Sequence, residues 1–330
     1  MSPPPSQLRR TIVMCATTGL SLSLPSCGLW RDEPVAVAAH SWVGYQPMFL
    51  AQSRGWLDPQ RVTLVSTANA QESIDALRSG QVQAAALTLD EVLSVRSSAL
   101  PLAIVLVFNV SMGADMLLVK PQIKALSELK SQRIGLESSS VADILLAEIL
   151  RQAGLVEADV KLVRAPVDAH LTLWRRHKVD ALITYEPVAT RLFGLGMVRL
   201  FDSQQLPDTI VDVLAVRQDA LDMARANAWR HLLVAHFRAV DVIVRNPQDS
   251  AYRLASRLNL PPADVMRAFK GIELPGVSKN VYLLGGAEPR LNAVAHRLSA
   301  RVHAGDKSAV PKDVSGLFRS DYLPAEELLK

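Results

Sequence analysis

What most constrains this chain is the order of its apolar segments: strand-like runs alternate with helix-like ones, and the alternation is written twice. VAVAAH (35–40), VTLVS (62–66) and VQAAALTL (82–89) read as strands, separated by the helix-like PMFLAQSRGW (47–56) and AQESIDALRSG (70–80). LPLAIVLVFN (100–109) is apolar almost throughout, as expected of a strand covered on both faces. Then RIGLE (133–137), VKLVR (160–164) and VDALITY (179–185) repeat the pattern around SSVADILLAEILRQAG (139–154) and AHLTLWRRH (169–177). Such alternation predicts mostly parallel sheets flanked by helices. VTLVS and VKLVR lie 98 positions apart and the strands that follow them 97, so two related α/β lobes are expected.

The connections predict how the lobes join. NVSMGADMLLVKP (109–121) is a loop followed by an extended run, and LPDTIVDVLAVRQDAL (206–221) holds another before a helical tail. In that tail AWRHLLVAHFRAVDVIVRNP (228–247) is a helix, with Trp229, Leu233, His236, Phe237, Val240, Ile243 and Val244 on one face. The chain thus leaves lobe one (28–113 plus 210–330) near Gly113, builds lobe two (114–209) and returns near Asp212. Two crossings make a hinge, and the carboxyl ends of the strands face the cleft beside it.

Residues 1–27 are read as a leader rather than as fold. Arg9 and Arg10 precede an apolar stretch from Thr11 to Leu24, too short to span a bilayer comfortably. LPSC (24–27) resembles a bacterial lipobox, with Pro25 where a small or β-branched residue is usual, and implies lipidation at Cys27. The only two cysteines, Cys15 and Cys27, lie in this segment, which leaves the domain without a disulfide or a thiolate metal site. The formal charge of +4, less Arg9 and Arg10, becomes +2. With no long basic run and no basic-aromatic interleaving, nucleic acid is not an expected partner.

Nothing in the chain spells catalysis. Phosphate-loop, dinucleotide, zinc-protease and nucleophile-elbow motifs are all missing from the sequence. His231 and His236, five apart, fall on different helix faces, and His170 and His177 flank a helix as surface residues. No metal site and no cofactor is expected.

IKALSELKSQRIGLESSS (123–140) carries the most specific pattern. It resembles a segment of the nitrate/sulfonate/taurine branch of type II periplasmic binding proteins, with Ser131 where that family usually has Gly. GYQPMFLAQSRGWLD (44–58), IDALRSGQVQAAAL (74–87), GADMLLVK (113–120) and VDALITYEP (179–187) resemble its other elements, so the likeness runs over about 35 to 250. The resemblance implies a two-lobed type II binding-protein fold and a monomeric extracytoplasmic receptor for an ABC permease and ATPase. It implies a small anion such as an alkanesulfonate, taurine or nitrate as the solute. A pyrimidine or riboflavin-like solute, and a sensing role beside a membrane signalling protein, stand as alternatives. Thiamine-pyrimidine synthases share the fold, but their cysteine-rich iron motif has no counterpart here.

The strand ends supply the candidate site. Trp42, Tyr45 and Gln46 follow the first strand; Thr88 and the pair Tyr185–Glu186 end the third strand of each lobe; Asn109 stands at the crossing. Ser138, Ser139 and Ser140 open a helix, with Ser140 and Asp143 spaced as a capping box, where unpaired N–H groups suit an anion. Asp90 and Glu91 are assigned to the start of the next helix and Asp115 to loop backbone.

Overall fold

The computed structural model describes Met1, 32–97, 100–302 and 314–329. Apart from Met1, the segment expected to be a leader, with Cys27, lies outside the described residues.

The first unit begins with β1 (Val35–Ala39), α1 (Gln46–Ser53), β2 (Val62–Ser66), α2 (Ala70–Ser79), β3 (Ala84–Thr88), α3 (Leu89–Ser97) and β4 (Leu102–Ser111). Their bounds follow local chemistry. Asn69 accepts the Glu72 N–H to start α2, and Gly80, at a φ of 79°, ends it. β4, apolar at nearly every position, is buried along its whole length.

The chain then enters a second sheet through β5 (Asp115–Val119), β6 (Arg133–Leu136), α4 (Ser140–Ala153), β7 (Lys161–Arg164), α5 (His170–Arg175), β8 (Ala181–Tyr185), α6 (Val188–Phe193) and β9 (Val198–Asp202). It returns to the first sheet as β10 (Val211–Arg217). After that come α7 (Ala226–Arg245), α8 (Pro247–Leu258), α9 (Pro262–Phe269), the short β11 (Ile272–Glu273), α10 (Val277–Leu284) and α11 (Leu291–Val302).

The first sheet runs β11-β4-β10-β3-β1-β2 and the second β7-β6-β8-β5-β9. Each contains a parallel trio with β1 or β6 in the middle. Beside each trio lies an antiparallel strand that has come from the other sheet: β10 on β3, and β5 on β8. The repeat is therefore in the register as well as in the sequence. Val37 pairs with Ala84, and Ile134 with Ala181, each partner 97 positions further on.

On α7 the expected apolar face is buried except at Val244, which is 71% exposed. Two other expectations are corrected. α1 stops at Ser53, because Gly55 takes a φ of 69° and turns the chain before Trp56. His170 is fully buried rather than on the surface: its Nδ1 lies 3.1 Å from Thr184 Oγ1 of β8, and burial lowers its pKa to about 4.

Candidate ligand-binding site

The equivalence of the two trios converges on one place. His40 follows β1 and Glu137, 97 positions later, follows β6; Thr88 ends β3 and Tyr185, again 97 later, ends β8. Opposite these ends stand residues at the start of the crossing strands, Asp212 paired with Thr88 and Asp115 with Tyr185. All six line one cavity, as do Trp42, Tyr45 and Glu91. It holds about 40 Å³ reachable by the centre of a water molecule, room for roughly three waters by the usual allowance for one. An outer cavity of about 460 Å³ shares Ala70, Glu91, Glu137 and Ser139 with it. The inner space suits one functional group of a solute, and the outer suits its remainder.

A buried network sets the walls. Trp42 Nε1 donates to Asn109 Oδ1 at 2.9 Å, Asn109 Nδ2 to Asp212 Oδ2 at 2.8 Å, and the Tyr45 hydroxyl to Asp212 Oδ1 at 2.5 Å. Across the cleft Tyr185 meets the Trp42 ring edge-to-face, centroids 5.5 Å apart, and His40 meets Tyr45 likewise at 5.2 Å. The Ser140 hydroxyl donates to Asp90 Oδ2, which joins the start of α4 to the start of α3. Three buried atoms of the lining have no partner among the described residues: Asp115 Oδ2, His40 Nδ1 and Thr88 Oγ1. Leaving such an atom unpaired costs about 1–3 kcal/mol.

The charge of the cavity is one-sided. Glu91, Asp115, Glu137 and Asp212 line it, with Asp90 just behind, and no Lys or Arg is among the lining residues. Burial, reinforced by Asp90, raises Glu91 to about 8; burial raises Asp115 to about 7. Asp212 is pushed up to about 8, first by burial and then by Asp115 and Asp90, against the hydrogen bonds it accepts. Burial also raises Asp90 and Glu137, and lowers His40 to about 4. At neutral pH the imidazole is uncharged and the acids share protons among themselves.

The structure brings Trp42, Tyr45, Thr88, Tyr185 and Ser139 into the inner cavity, and Ser138 and Ser140 into the outer one. The helix cap sits one residue earlier than the spacing predicts: Ser139 accepts the Ala142 N–H, which leaves Ser140 for Asp90. Gln46 and Asn109 are fully buried behind the wall, Gln46 bonded to the Trp42 carbonyl. Glu186 lies apart, as a correction to its placement in the cleft. Its carboxylate accepts the Thr190 N–H at the start of α6 and faces a separate cavity by the first crossing. Helix starts attract carboxylates, and this one is satisfied there.

Asp115 is likewise no loop residue but the first of β5, and Glu91 reaches the cavity while accepting the Thr88 N–H. Sequence reasoning passed over His40, Glu137 and Asp212 as well. Applying the 97-residue offset to every strand end, rather than to the strands alone, points to the first two.

Two flanking sheets, a swapped antiparallel strand in each and a ligand-sized cleft at the strand ends define the two-lobed periplasmic binding-protein fold. The chain belongs to the NMT1/THI5-like family, whose profile matches 42–250. Among solved structures it is similar to the aliphatic sulphonate-binding protein SsuA of Escherichia coli, at 18% identity and a TM-score of 0.71 over 87% of this chain and 92% of that one. It is similar also to the alkanesulfonate-binding SsuA of Xanthomonas axonopodis pv. citri (18%, 0.68, 83% and 93%). The nitrate-binding NrtA of Synechocystis PCC 6803 gives 13%, 0.63, 87% and 91%. No curated protein matches the chain in sequence. No helix among the described residues is long and apolar enough to cross a membrane.

Proposed function

We propose that this protein is the extracytoplasmic solute-binding component of an ABC importer, tethered through Cys27. Its solute is a small nitrogen-rich molecule with a cationic or strongly hydrogen-bond-donating group, such as an amino-substituted heteroaromatic ring. The receptor role is supported by the family and by neighbours that bind solutes in the periplasm. The solute class is carried by one observation: the inner cavity presents four carboxylates, one with an unpartnered oxygen, between aromatic rings and without a cation. An anion in that place meets no positive charge and is repelled by each acid that ionises. Ring faces take up a flat molecule, and the carboxylates accept its N–H groups.

The sulfonate or nitrate reading keeps one specific support, the outer cavity, where Ser138–Ser140 open α4 and Arg164 is within the lining. A thermal-shift screen of amino-heteroaromatics, taurine, alkanesulfonates and nitrate separates the two. A ligand at about 100 times its Kd adds roughly 2.7 kcal/mol. Stabilisation by sulfonates or nitrate alone would overturn the proposed solute class.

Binding closes lobe two (114–209) on lobe one by a population shift, so small-angle scattering should show compaction with the screened ligand. An unchanged radius at saturation argues for a rigid receptor. For the tether, Cys27→Ser is expected to release the protein into the soluble fraction or leave it unprocessed. Unaltered membrane attachment in that variant would remove the lipid anchor from the proposal.

A further inference from the structure

Asp115 opens β5 and Asp212 lies one residue inside β10, so each sits on a strand that has just passed between the sheets. The positions are equivalent: Asp115 pairs with Tyr185, Asp212 with Thr88, and Tyr185 is 97 positions beyond Thr88. Both acids line the inner cavity and are buried, at 4% and 3% exposure. Their hydrogen bonding differs. Asp212 has one oxygen held by the Tyr45 hydroxyl and the other by the Asn109 amide, whereas Asp115 Oδ2 has no partner. Two further side chains of this lining are also unsatisfied, at Thr88 Oγ1 and at His40 Nδ1, the latter on a residue 7% exposed.

We propose, resting on the cationic-solute reading above, that Asp115 and Asp212 form a clamp for one positively charged group of the solute, which displaces a proton held there. The exchange is balanced: a carboxylic acid of the empty pair releases its proton to solvent as the cation takes the carboxylate. Because one acid lies on each crossing strand, the captured charge bridges the two segments that join the lobes. The groups facing the pair are Asp90 and Glu91 from α3, Glu137 after β6, and Tyr45, Tyr185 and His40. None supplies a positive charge at neutral pH, His40 being lowered to about 4 by burial, so no protein cation competes for the clamp. The proton is present in the empty site because burial raises Asp115 to about 7, and burial with repulsion from Asp115 raises Asp212 to about 8.

The test uses three probes on the full chain: benzamidine, a flat aromatic cation at every pH used; benzamide, its neutral counterpart; and benzenesulfonate. Calorimetric titration in buffers of different ionisation enthalpy should show benzamidine binding with release of close to one proton near pH 6. Its affinity should rise about tenfold per pH unit from about pH 5 to about 6.5 and level off above the value of about 7 to which burial raises Asp115. Benzamide should bind at least about tenfold more weakly, since it lacks the charge. Asp115→Asn and Asp212→Asn should each weaken benzamidine about 10- to 100-fold and flatten the pH slope. If either variant fails to fold, proton release and the slope of the parent protein decide alone. Benzamidine binding without pH dependence or proton release overturns the clamp while leaving the cationic solute standing. Benzenesulfonate binding with benzamidine silent overturns both, and silence of all three probes at about 10 mM overturns the clamp.

Discussion

Gly44→Ala is expected to destabilise the protein by about 2–5 kcal/mol and to weaken solute binding at least about tenfold, although it adds a single methyl group. A Cβ at Gly44 would lie 1.6 Å from Asn109 Oδ1 and 2.6 Å from Trp42 Nε1. Neither neighbour can give way freely, since both are buried and bonded to each other, and Asn109 is bonded in turn to Asp212. The indole N–H therefore loses its acceptor, and Asp212 loses the donor that orients it. Thermal unfolding and titration with a ligand from the screen measure the two effects. Gly276→Ala is the control, because a Cβ there meets nothing within 4 Å. A Gly44→Ala protein that melts and binds like the parent would show that the network does not shape the cavity.

The second large effect is one of pH on the empty protein: unfolding free energy should fall by on the order of 3 kcal/mol between pH 6.5 and 8.5. Glu91, Asp115 and Asp212 have folded pKa values of about 8, 7 and 8, above the ordinary carboxylate range. Below their unfolded values both states are protonated and nothing is lost. As pH rises toward the folded values, the unfolded chain has already ionised, while the folded one must ionise carboxylates in a dry, mutually repelling cluster. Stability is lost from the unfolded values of about 4 up to the folded ones, and the loss levels off above about pH 8.

His40 and His236 act in the opposite sense but elsewhere. Burial lowers them to about 4 and about 3, so their contribution disappears as pH falls from about 6.5 through those values. Denaturant unfolding at several pH values reads the curve directly. Glu91→Gln keeps an acceptor for the Thr88 N–H and removes a charge, so relative to the parent it should be more stable at pH 8.5 than at pH 4, where Glu91 is protonated in the folded state and largely so in the unfolded one. A flat profile from pH 6.5 to 8.5, in parent and variant alike, would mean that the cluster is wetter or less repulsive than its burial implies.

Much of the architecture was legible in the chain because it is set by local periodicity and punctuation. VTLVS became β2 at the same bounds, Gly80 and Gly154 ended α2 and α4, and the apolar face of α7 was read to within Val244. The offset between the two units survives as sheet register, since side-chain alternation along a strand admits no slip without turning its apolar face outward. Among the candidate site residues, the aromatics Trp42, Tyr45 and Tyr185 were legible from their place at the carboxyl ends of strands.

Tertiary structure alone decided the electrostatics of the cleft. Asp90, Glu91, Asp115 and Asp212 each have an ordinary local reading, as a helix start or a loop end, and nothing in their immediate sequence sets them against one another. Only the crossing strands bring Asp115 and Asp212 together from 97 positions apart, and only the packing of α3 against the start of α4 places Asp90 on Ser140. Serines 138–140 suggested an anion because a helix start is positive by itself. Desolvation and charge repulsion depend on every neighbour in three dimensions, and here they make the inner cavity acidic. The chain by itself determined that a cleft would form between two α/β units; the acidity of its inner cavity was set by the fold, because the field at a buried site is a sum over residues distant in sequence.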